Sequence, residues 1–90
     1  METLHLIITG RVQGIGFRNY VAFKARQFQI NGWVRNRLDG SVEAMLQGTP
    51  ENVAAIIKRL RHGPPQAVVA DIAITAGQGE YRAFDTLPTE

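Results

Sequence analysis

The sequence predicts an α/β (α+β) sandwich of ferredoxin-like βαββαβ order, with two helices on one face of an antiparallel sheet. Three observations carry this prediction. Short alternating apolar runs recur along the chain, two stretches of helical periodicity divide them, and glycine- or proline-bearing turns mark the junctions. A short additional edge strand is expected near the C-terminus. Ninety residues, 44% hydrophobic and 20% charged, suffice for one modest core, so residues 1–90 read as a single domain.

In "TLHLIIT", Leu4, Leu6 and Ile8 alternate as in a strand with one buried face. Phe17, Val21, Ala25 and Phe28 then recur at spacings of four, four and three, which predicts a helix over residues 18–28. "INGWVRN" and "SVEAMLQG" follow as the second and third strands, joined by a hairpin turn in which Asp39–Gly40 tolerates positive φ. Thr49 is placed to cap the second helix and Pro50 to occupy its first position. Val53, Ile56, Ile57 and Leu60 form the buried stripe of that helix, and Gly63 followed by prolines ends it. "AVVADIAIT" is the fourth strand, and the tail offers one edge strand around Tyr81 to Phe84.

This order has a geometric consequence. A strand–helix–strand crossover makes the first two strands parallel, with the third fitted between them. The loop after the first strand and the end of the second therefore emerge at the same edge of the sheet. Arg35, Asn36 and Arg37 are brought near "GRVQGIGFR" (residues 10–18), across two strand spacings of about 4.8 Å each.

Charge is unevenly distributed along the chain. The net charge is +2, but residues 1–37 hold six basic residues against Glu2 alone, and no acid lies between Thr3 and Leu38. Such a half attracts an anion. The absence of cysteine excludes disulfides and thiolate chemistry. The start "METLHLIITG" has neither the charge pattern of a signal peptide nor the length of a membrane span. A cytoplasmic monomer acting on a small molecule, without membrane or nucleic-acid partner, is the expectation.

The glycine loop fits no standard nucleotide motif. Neither Lys nor Ser/Thr follows the glycines as a P-loop requires, and Gly14 and Gly16 are followed by Asn19 where a dinucleotide fingerprint needs glycine. The physics behind those motifs still applies. The first N–H groups of a helix lack internal partners, and the helix dipole favours negative charge there. The second helix has Thr49 as its cap, whereas the first is entered through Gly14, Ile15 and Gly16 with no capping side chain. Its N–H groups are open to an anion, and Arg18 on the first turn can add a fork of donors. The plainer reading, that these glycines merely make a tight turn, is disfavoured by the missing cap, the missing acids and Arg18.

Period two puts Gly32, Val34 and Asn36 on one face of the second strand and Trp33 and Arg35 on the other. On pattern alone Asn36 reads as a turn residue opening "NRLDG". Beside a bound phosphate, its side-chain amide can instead orient an attacking water. A good leaving group, such as the carboxylate of an acyl phosphate, would make a strong base or acid unnecessary. The lack of acids in this half argues against Mg²⁺, so no metal or cofactor is expected. His5, His62, Trp33, Lys58, Arg59 and Arg61 read as structural or solvated residues, and Asp71 and Glu43 as solvent-face residues. Arg11 is either a substrate-side charge or a solvated loop residue.

"GRVQGIGFR" followed by "GWVRNRLDGSVEAMLQG" resembles the acylphosphatase family almost continuously over residues 6–48. The resemblance implies the ferredoxin-like fold and metal-independent hydrolysis of carboxyl–phosphate bonds. By motif position it puts the family's phosphate-binding arginine on Arg18, its water-orienting asparagine on Asn36, and its backbone donors on Gln13, Gly14, Ile15, Gly16 and Phe17. Family substrates include acetyl phosphate, carbamoyl phosphate and 1,3-bisphosphoglycerate. Three departures stand out: Ile15 in place of valine, Gln29 in place of the glycine that commonly ends the first helix, and an unusual tail, "YRAFDTLPTE". Two other functions remain open, a non-catalytic anion-binding module and an RNA-binding module of the same topology. Against the latter, "QGIGFRNY" precedes the first helix, whereas the RNA-binding signature belongs on the third strand, which here has no aromatic residue.

Overall fold

A computed structural model of the protein describes residues 1–90. Its elements are β1 (Glu2–Arg11), α1 (Phe17–Gln27), β2 (Asn31–Asn36), β3 (Val42–Gly48), α2 (Pro50–His62), β4 (Val68–Ala76) and β5 (Phe84–Thr86). The strands form one sheet in the order β4-β1-β3-β2-β5. As expected, β3 lies between β1 and β2, pairing antiparallel with both, and β4 pairs antiparallel with β1.

The expected antiparallel sheet gains the edge strand anticipated near the C-terminus. β5 pairs parallel with β2, with Gly32 opposite Phe84 and Val34 opposite Thr86, so the sheet is mixed. It also lies three residues beyond its expected start at Tyr81. Phe84, 9% exposed, is the apolar side chain that this segment contributes to the core. Tyr81 is held by side chains instead: its N–H donates to Gln47 Oε1 at 3.0 Å and its carbonyl accepts from Asn31 Nδ2 at 3.0 Å.

The inward row of each strand meets the buried stripes of the helices. Leu6, Ile8, Val34, Val42, Ala44 and Leu46 are fully buried against Phe17, Val21, Ala25, Val53, Ile56 and Leu60. At roughly 1.5–3 kcal/mol for each large side chain fully buried, this layer is the main stabilising contribution. Helix α1 ends where the missing glycine was noted. Gln29 takes φ 57°, the one positive φ outside glycine. Gly63, after α2, also has positive φ (67°), but its ψ of −177° is extended rather than left-handed helical.

The other face of the sheet carries a polar cluster. Glu43 lies opposite Arg35 in the β2–β3 register. Its Oε1 accepts from Arg35 Nε at 2.7 Å, and its Oε2 lies 2.6 Å from His5 Nε2. The Arg35 guanidinium also sits 5.0 Å from the centre of the Trp33 ring. Glu43 was expected to face solvent. It is on the expected face, but Arg35 and His5 cover its side chain to 12% exposure.

Candidate active site

The loop between β1 and α1 is shaped by two glycines. Gly14 has φ 76° and Gly16 φ 79°, values at which a side chain would strain the backbone, although a Cβ would have no neighbour within 4 Å at either. The backbone surface there is therefore open. Gly16 is the N-cap of α1 in a left-handed conformation and provides no side-chain cap. At α2, by contrast, Thr49 Oγ1 accepts from Asn52 N at 3.1 Å.

The consequence is a run of unused donors. The N–H groups of Gln13 to Gly16 donate no hydrogen bond within the protein, and the first intrahelical donor of α1 is Tyr20 N, 3.0 Å from Gly16 O. Phe17, Arg18 and Asn19 thus present first-turn N–H groups without intrahelical acceptors. The positive end of the helix dipole points the same way.

A cavity of about 240 Å³ opens at this helix start, lined by Val12, Gly14, Gly16, Phe17, Arg18, Asn19 and Asn36. Arg18 is its only charged residue, and the ion pairs of the protein, His5–Glu43, Arg35–Glu43 and Arg35–Glu90, leave it unpaired. Asn36 reaches the cavity from the end of β2, where it pairs with Val42. Its side-chain oxygen is buried and has no hydrogen-bond partner. An unpartnered buried acceptor costs about 1–3 kcal/mol, so it calls for a donor.

The turn beyond Asn36 is tightly closed. Arg37 N donates to Ser41 O at 2.9 Å and Gly40 N to Arg37 O at 3.1 Å. Asp39 Oδ1 accepts from Ser41 Oγ at 2.6 Å and Ser41 N at 2.9 Å. These bonds, the hydroxyl's foremost, hold the Asp39 carboxyl below its ordinary value. On the other flank, Glu90 N donates to Asn36 O at 3.1 Å, and Leu38 N donates to Glu90 O at 3.1 Å.

Of the residues singled out in the sequence, the cavity unites Arg18, Asn36, Gly14, Gly16 and Phe17. Gln13 and Ile15 do not line it. Ile15 packs against the core, and the Gln13 side chain turns to the β2–β3 turn. Val12 and Asn19 line the cavity and were not anticipated. Asn19 was accessible to the same argument as Arg18, since both lie on the first turn of α1. Arg11 is exposed at the end of β1 and does not line the cavity.

Comparison with known proteins agrees with this architecture. A family profile described as acylphosphatase matches residues 4–86. An acylphosphatase of Thiobacillus denitrificans is 49% identical over 94% of this chain and 96% of its own. One from Cupriavidus pinatubonensis is 45% identical over 99% of each chain. The crystal structure of an acylphosphatase from Bacillus subtilis superposes with a TM-score of 0.92 at 32% identity, covering 97% of this chain and 99% of that one. With sequence and fold matched over nearly its whole length, the chain belongs to the acylphosphatase family.

Proposed function

We propose that the protein hydrolyses the carboxyl–phosphate bond of small acyl phosphates, releasing a carboxylate and inorganic phosphate. The observation that carries this reading is the buried, unpartnered amide oxygen of Asn36 in a cavity shared with Arg18 and the uncapped start of α1. The phosphoryl group rests on the loop N–H groups from Gln13 to Phe17 and on the Arg18 guanidinium, which offset its negative charge. A water donates one hydrogen bond to Asn36 Oδ1, supplying the missing partner and directing an oxygen lone pair at phosphorus. The P–O bond to water forms as the bond to the acyl oxygen breaks, and the carboxylate departs with that electron pair. A phosphate oxygen takes the proton of the attacking water, since the cavity offers no side-chain base.

Charge neutralisation by Arg18 and backbone donors makes the reaction independent of added metal. The reading takes the enzyme as a cytoplasmic monomer acting on a small molecule. The test is phosphate release from benzoyl phosphate in EDTA, comparing wild type with Arg18→Ala. Wild type should turn over freely, and the variant should lose about a hundredfold or more of kcat/KM. A folded wild type with no hydrolysis would overturn the enzyme assignment and leave an anion-binding module.

A further inference from the structure

The Gln13 side chain takes no part in the cavity, yet its amide nitrogen is fully engaged. Its Nε2 donates to Arg37 O and to Ser41 O, each at 2.8 Å, which uses both amide hydrogens. Those carbonyls stand at the two ends of the β2–β3 turn, directly after Asn36. Gln13 itself directly precedes Gly14. One side chain therefore ties the open loop to the turn that follows Asn36.

Ile15 packs against the core, but the loop makes no other hydrogen bond to the turn after Asn36. Val12 and Phe17 anchor its ends in the core, but its glycines touch nothing where side chains would stand, and the N–H groups of Gln13 to Gly16 are unbonded. Losing the Gln13 amide would not orphan the turn: Arg37 O keeps Gly40 N as a donor and Ser41 O keeps Arg37 N. The turn keeps these bonds of its own without it. What is lost is the hydrogen-bonded link between the loop and the turn after Asn36.

We infer that Gln13 is a positioning residue that holds the phosphate-bearing loop in register with Asn36, so that the oriented water stands in line with the scissile bond. The inference rests on the proposed acyl phosphate hydrolysis and adds to it a side-chain role for a residue otherwise contributing only a backbone donor. A displacement near 1 Å at a reacting centre costs about 10²-fold in rate, whereas an anion tolerates small shifts of its donors.

The test uses Gln13→Met, which keeps length and removes both donors, with Gln13→Ala as a second variant. The kcat for benzoyl phosphate and the Kd for inorganic phosphate are measured on each, together with the NMR shifts of the Asn36 side-chain amide during phosphate titration. The expected result is a kcat lowered about tenfold or more, a phosphate Kd within about threefold of wild type, and loss of the phosphate-linked shift at Asn36. A folded variant with kcat within about twofold of wild type would overturn the inference, as would a loss residing wholly in phosphate Kd. If wild type itself does not hydrolyse benzoyl phosphate, the proposed function fails separately. The NMR titration then decides the role of Gln13: an Asn36 shift unchanged in Gln13→Met, or absent from wild type, overturns it.

Discussion

At the scale of single residues, the proposed reaction gives Arg18 and Asn36 separable contributions. Arg18 is an unpaired cation lining the cavity, so Arg18→Ala should weaken binding and turnover together. Asn36 offers a neutral amide whose buried oxygen lacks a donor, and a bound phosphate does not depend on it for charge. Asn36→Ala should therefore lower kcat by about a hundredfold while leaving inhibition by inorganic phosphate nearly unchanged. Steady-state kinetics with phosphate as competitor checks this. The shared place of Arg18 and Asn36 beside the loop was legible in the sequence, from an uncapped first turn and from crossover geometry, although on pattern alone Asn36 read as a turn residue. The Gln13 side chain was not legible. Nothing in local sequence tells whether a loop glutamine points at its own loop or across a strand to carbonyls more than twenty residues away.

At the scale of elements, the two helices begin in opposite ways. Helix α2 satisfies a first-turn donor with Thr49, while α1 leaves its first turn open. Thr49→Ala should cost about 1 kcal/mol in denaturant unfolding and leave hydrolysis unaltered, because that helix start does not line the cavity. Apolar periodicity located α1 to within a residue at each end, since Phe17, Val21 and Ala25 all face the core. Period two likewise oriented β2 and β3 correctly, with Val34, Val42, Ala44 and Leu46 buried. The expected edge strand exists as β5, but its bounds were displaced for a physical reason. A three-residue edge strand with one inward side chain has no period to read, and its neighbour Tyr81 looks strand-like while being held by Gln47 and Asn31. Gln29 shows the opposite case: the missing glycine was visible, and the chain adopts the left-handed conformation regardless. Tertiary packing on both sides offsets a local cost of about 1 kcal/mol.

At the scale of the molecule, ionisable groups are divided between the faces of the sheet. His5, Arg35 and Glu43 cluster on the face away from the helices. Burial pushes the Glu43 carboxyl up, but hydrogen bonds from His5 and Arg35 outweigh it and hold the group below its ordinary value of 4.5. The unfolded chain therefore takes up this proton at a higher pH than the folded one. The stabilisation is complete above 4.5 and is lost as pH falls through the folded value. Glu43→Gln should flatten the decline in unfolding free energy below that pH, as measured by urea titrations at successive acidities. The cavity on the opposite side is another matter. Among its lining residues only Arg18 carries a charge, and none is acidic. The carboxylate whose protonation weakens the fold therefore stands across the sheet from the cavity. The fold could thus be tuned for acid tolerance at Glu43 without replacing any residue that lines the cavity.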